Sequence, residues 1–161
     1  MREDLHGDVK PRFRLPPANS LRPITPADID WAIDLAAQHY DGRFDADSVR
    51  RWAAVRLSEP SMTFLRTDHA FGVAHLGERY YAPGHRQAFL TLLYAEPGNH
   101  GREVVRIMQG LRRWADGKGA TKFWFGDVTG HDMAKLAGVL GGRLAGHTYV
   151  VDLDSDPTLF G

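Results

Sequence analysis

Residues 95–106 read Ala-Glu-Pro-Gly-Asn-His-Gly-Arg-Glu-Val-Val-Arg, a loop broken by glycine and proline that runs into a helix. Val104, Ile107, Met108, Leu111, Trp114 and Ala115 recur at helical spacing, so the helix is amphipathic and its first turn abuts the loop. A first turn presents unpaired N–H groups and the positive end of the helix dipole, so this junction is a natural anion site. Other chemistries find less support. The chain has no cysteine, which excludes disulfides, thiolate metal sites and a cysteine nucleophile. It has no Gly-x-Ser-x-Gly, which excludes the serine elbow of the hydrolases. His69 and His75 flank a strand without a ligand pattern around them, so no metal site is expected. His131 and Asp132 are neighbours, but adjacent residues on a helix point apart. His100 is expected to cap the helix or face solvent.

The elements that position this junction are legible on either side of it. An apolar run at 88–95 precedes the loop as a strand, and Gly117-Lys118-Gly119 ends the helix before a second strand at 123–125. Upstream, 21–24 reads as a short strand. Thr25 then caps a helix with Pro26 at its first position and Asp28 in its first turn, ended by Asp41-Gly42. A further helix starts near Asp45 or Asp47 and is expected to bury Val49, Trp52, Ala53 and Val55. Residues 62–65 and 70–76 form a hairpin, and 77–85 make a wide connection carrying Tyr80 and Tyr81. Downstream, 132–140 reads as a short helix stopped by Gly141-Gly142, and 144–153 as a closing strand. The order β, α, α, β, β, β, α, β, α, β demands a mixed sheet, because strands are joined both by a hairpin and across a helix. Helices should cover both faces.

With 161 residues, the chain is read as one domain over 21–153, flanked by an arm of residues 1–20 and a tail of residues 154–161. Lysine plus arginine equals aspartate plus glutamate, so net charge gives no reason to expect nucleic acid or an anionic membrane. No run of apolar residues approaches the ~20 needed to span a bilayer, and no signal-peptide core opens the chain. The arm carries Pro11, Pro16 and Pro17 and lacks any periodicity. Phe13 and Leu15, spaced two apart, would point to one side of an extended arm. Arm and tail, the latter with Leu159 and Phe160, are therefore expected to dock on a protein partner or a second copy.

The order of elements, with Leu21-Arg22-Pro23-Ile24-Thr25-Pro26-Ala27-Asp28 at its start, resembles the GNAT (GCN5-related N-acetyltransferase) superfamily. Residues 97–114 and Gly119-Ala120 are similar to its acyl-CoA loop, central helix and exit, and Leu140-Gly141-Gly142-Arg143 to its late Leu-Gly-Phe segment. The resemblance implies an α/β (α+β) fold with a mixed, mostly antiparallel sheet and helices on both faces. It also implies acetyl-CoA as cofactor, held near Ala95, His100, Gly101, Arg102 and Arg106. A general base, where the family uses one, would fall to Glu96 or Asp127 at the ends of the two strands around the central helix.

Departures from the family pattern qualify that implication. The family's loop reads Gln/Arg-x-x-Gly-x-Gly/Ala, and its slots here hold His100, Glu103 and Val105. A carboxylate beside a diphosphate at ~4 Å costs about 1 kcal/mol in water and about 4 kcal/mol at an effective dielectric near 20. Glu103 instead suits the helix dipole, and Val105 suits core packing. Ala137 stands where the family often has a catalytic tyrosine. The loop thus points to a GNAT-fold protein without catalysis and with weak or no cofactor binding. Such a protein would serve as an interaction or assembly subunit, similar to phage-encoded GNAT-like proteins of virions. The alternative is an acetyl-CoA-dependent N-acetyltransferase acting on a small amine or a protein amine. The corresponding locations are a phage particle and the cytoplasm.

Overall fold

The computed structural model describes residues 20–40, 43–126 and 133–146. The arm up to residue 19, Asp41-Gly42, Asp127, the His131-Asp132 pair and the tail all lie outside the described residues. A five-stranded sheet runs in the order β1-β2-β3-β4-β5, with β1 at Arg22–Pro23, β2 at Met62–Arg66, β3 at Ala70–Gly77, β4 at Gln87–Ala95 and β5 at Phe123–Trp124. The first three pairings are antiparallel and β4–β5 is parallel, the mixed sheet expected from the connections. Residues 144–146 are not strand, and the rest of the expected closing strand lies outside the described residues.

Helices cover both faces. A 3-10 turn at Pro26–Asp28 leads into α1, Ile29–Ala37. The turn opens as a capping box, with the Asp28 carboxylate accepting the Thr25 N–H at 2.9 Å. Helix α2, Ala46–Arg56, starts where the Asp45 carboxylate accepts the Ser48 N–H. These helices pack over Phe64, Phe71, Val73 and Tyr94. Val55 does not join them: it is 73% exposed, because α2 turns Trp52 inward instead. On the opposite face lie α3, Gly101–Gly117, and α4, Ala134–Leu140. Helix α4 ends at Gly141, whose φ of 74° is left-handed backbone. Among the described residues, no helix is long and apolar enough to cross a membrane.

The close approach of α3 to the sheet follows from alternation along β3. Phe71 and Val73 fill one face, while Ala70, Gly72 and Ala74 present a strip of small residues to the other. Ile107, Met108 and Leu111 of α3 settle on that strip with no exposed surface. A Cβ added at Gly72 would lie 2.6 Å from Ile107 Cγ2, and one at Gly110 would lie 2.5 Å from Leu21 Cδ2. Gly72→Val is therefore expected to destabilise the domain by about 1–3 kcal/mol through overpacking, against the β propensity of valine. A urea titration measures it, and an unchanged or higher midpoint would show that the strip has slack.

Candidate functional site

A bulge shapes the site. Val73 of β3 faces Leu92 of β4 and Ala74 faces Leu90, so Thr91 has no partner. An unpaired residue of this kind bends its strand and sharpens the local twist. On its other side β4 keeps only two pairings with β5, Ala88–Phe123 and Phe89–Trp124. Beyond Phe89, no strand pairs with that edge of β4 among the described residues. Among the described residues the β4–β5 pairing thus ends next to the bulge, and the stretch of β4 from Leu90 to Ala95, which leads to Glu96 and the head of α3, has no strand partner on that side.

That head is built from three segments. Gly98 has a φ of 120°, a backbone state reserved almost entirely for glycine, and lets the chain double back into His100. The N–H groups of Glu103 and Val104 both donate to the His100 carbonyl. A Cβ added at Gly101 would meet nothing within 4 Å, so the backbone there is open to approach. Glu103 does not lie across this opening as a lone charge. One oxygen accepts the His69 N–H at 3.0 Å, and the other lies 3.0 Å from Nδ1 of both His69 and His100. The two imidazoles stack at 4.4 Å. Burial alone would raise the Glu103 pKa, but hydrogen bonds from Thr67 and His69 outweigh it and hold the carboxyl below its ordinary 4.5. A depressed carboxyl pKa stabilises the fold above the unfolded value, and that contribution is lost as pH falls through the folded one.

The other residues expected at the site fall along the same line. Ala95 ends β4 opposite Ala70 and packs on the core. Glu96 follows it: its N–H donates to the His69 carbonyl at 2.8 Å, and its carboxylate accepts the Trp31 indole N–H at 2.9 Å. The Arg66 guanidinium lies 3.6 Å over the Trp31 ring and pairs with Asp28 at 2.8 Å, so Glu96 is held through α1. Arg102 is exposed, while Arg106, one turn on, donates to Gln109 at 3.3 Å. Val104, rather than Val105, packs on the core beneath the helix. Ala137 is half-buried in α4.

Beside the bulge lies an open groove of about 300 Å3 lined by Trp52, Arg56, Ser61, Met62, His75, Leu76 and Thr91. His75 Nδ1 lies 2.8 Å from Thr91 Oγ1, and its ring stacks on Phe89 at 5.2 Å. Burial pushes the His75 pKa below its ordinary 6.5, so the imidazole is neutral at pH 7. His75 and Thr91 were not among the catalytic candidates of the sequence. Alternation held one signal: Phe71, Val73 and His75 share a period of two, which puts a polar ring on a buried face. A second polar group of β4, the Tyr94 hydroxyl, donates to Tyr40 at 2.8 Å, and burial together with that contact holds its pKa well above the ordinary value.

No family model and no curated protein sequence matches the chain. Solved structures do match in fold. The glucosamine-6-phosphate N-acetyltransferase of Arabidopsis thaliana superposes with a TM-score of 0.68 at 11% identity, over 83% of this chain and 97% of that one. A Trypanosoma brucei acetyltransferase gives 0.68 at 13% identity, over 83% and 98% of the two chains. An aminoglycoside N-acetyltransferase solved with CoA gives 0.68 at 13% identity, over 83% and 93%. The fold is that of the GNAT acetyltransferases, as the order of elements implied.

Proposed function

We propose that the chain is an N-acetyltransferase that uses acetyl-CoA and acts on a small amine. The observation that carries this reading is the end of the β4–β5 pairing, among the described residues, next to the Thr91 bulge, with a groove on one side and the open head of α3 at the far end. The residues present fit the cofactor. A free strand edge pairs with an extended, amide-bearing ligand through main-chain hydrogen bonds, which suits the pantetheine arm. The open backbone at Gly101, with Arg102 nearby, suits a diphosphate at a helix N-terminus. Glu103 is the discordant group, but its carboxylate is turned onto His69, His100 and Thr67.

Acetyl-CoA, when bound, supplies a thioester carbonyl that an amine can attack. The chain's own part is positioning and proton transfer. We assign His75 as the residue that accepts the amine's proton. It lines the groove, is neutral at pH 7, and leaves Nε2 as its acceptor in the tautomer that donates Nδ1–H to Thr91. Glu96 is the second candidate, at the end of β4 toward α3. The open groove of about 300 Å3 has room for a small amine beside His75. The assembly reading gains no support from the fold or from the neighbours named above, none of which is a phage or virion protein.

Calorimetry with acetyl-CoA should show saturable one-to-one binding with a Kd near 100 µM, about −5.5 kcal/mol. Thiol release in the presence of a panel of small amines should then identify acceptors. No saturable binding at millimolar acetyl-CoA, with the thermal melt intact, would overturn the proposal.

A further inference from the structure

We infer that His69, His100 and Glu103 form a binding site for a divalent transition metal of the zinc class. Three separate segments converge here: the β2–β3 turn, the β4–α3 loop and the first turn of α3. Their ligand atoms all lie within 4.8 Å of one another, and both Nδ1 atoms are 3.0 Å from the same Glu103 oxygen. Donors around a tetrahedral zinc, at bond lengths of ~2.0–2.1 Å, are about 3.3 Å apart, and the two stacked imidazoles reach that arrangement by turning out of parallel so that both Nδ1 lone pairs aim at one ion. Two imidazole nitrogens and one carboxylate suit zinc, cobalt or nickel and disfavour calcium and magnesium, which take oxygen. Thr67 and the His69 N–H hold the carboxylate from behind, the kind of support that orients metal ligands. The His69 side chain is 47% exposed, so solvent and metal reach the group.

The site has a consequence for the loop, which rests on the acetyl-CoA reading. As ligands through their lone pairs the two imidazoles add no charge and Glu103 adds one negative charge, so a bound divalent ion makes the cluster positive by one. The carboxylate that opposes a diphosphate would become the anchor of a cation that attracts it.

The test uses the full chain without a histidine tag, stripped of metal by a chelator. Titration with Co2+ should give visible ligand-field bands saturating at one equivalent, and calorimetry with Zn2+ a micromolar or tighter Kd. His69→Ala and His100→Ala should each weaken binding at least tenfold, with thermal melts verifying the fold. His85→Ala, in the β3–β4 loop, should bind as the parent does. Absence of saturable binding, or binding that His69→Ala leaves unchanged, would overturn the site. Loading one equivalent of Zn2+ should lower the acetyl-CoA Kd at least tenfold, and an unchanged Kd would overturn the anchoring role. Metal binding in a protein that takes no acetyl-CoA in either state would keep the site and remove the acetyltransferase reading.

Discussion

Met108→Ala is expected to cost about 2–5 kcal/mol of folding stability. Met108 has no exposed surface and sits among Ile107, Leu111, Ala70, Ala74 and Leu140 between α3 and the sheet. Truncation removes the buried thioether arm and leaves a cavity whose size depends on how far the surroundings relax. Here they relax little. Ala70 and Ala74 of the same cluster are too short to fill the gap, and the larger side chains around it, such as Leu90 and Leu93, are already packed against its other members. The helix cannot sink further, because Gly72 already brings Ile107 close to the strand backbone. Val55→Ala on the exposed side of α2 makes the comparison, and should stay within about 0.5 kcal/mol. Urea titrations of both variants with unchanged slope would measure the difference. A loss below about 1 kcal/mol for Met108→Ala would mean that the α3 face is packed differently.

The fold was readable where one periodicity governs a long segment. The apolar stripe of α3 follows from spacing alone, and Ile107, Met108, Leu111 and Ala115 are all buried as that spacing requires. Trp114 packs against the same cluster from a half-buried position at the edge of the stripe. Val55 went astray because α2 has no fully buried residue and turns Trp52, not Val55, toward the core. The bulge at Thr91 was beyond reach. No glycine or proline marks it, and it exists only as a mismatch between two strands whose register no single segment encodes.

The site was readable only in its local half. His100 and Glu103 are three apart on a helix, a spacing that brings side chains together. His69 completes the cluster from a turn 34 residues away, which periodicity cannot reveal. Seen without His69, Glu103 reads as a stray charge in a phosphate loop. Seen with it, the same carboxylate is the shared acceptor of two imidazoles. Asp127, the other strand-end carboxylate, lies outside the described residues.

Once an acceptor amine is found, His75→Ala should lower kcat/KM by about 10²–10⁴, the usual range for a positioned general base. The pH profile tells a lost base from a lost packing contact. The base must be neutral to take a proton, and burial disfavours the charged imidazole, so its pKa lies below the ordinary 6.5. The rate in the parent protein should therefore fall on the acid side of that lowered value and be flat across pH 7. In His75→Ala that limb should vanish. If Glu96 were the base instead, Glu96→Gln rather than His75→Ala would remove the limb. KM for acetyl-CoA should be unchanged in His75→Ala, because the ring faces the groove and not the head of α3. The same ring also links stability to pH. A depressed histidine pKa means that the unfolded chain binds the extra proton more readily, so parent stability should drop as pH falls below about 6.5. His75→Ala should lose that dependence along with the limb. A full acid limb surviving in His75→Ala, in a protein whose melt is intact, would move the proton to another group.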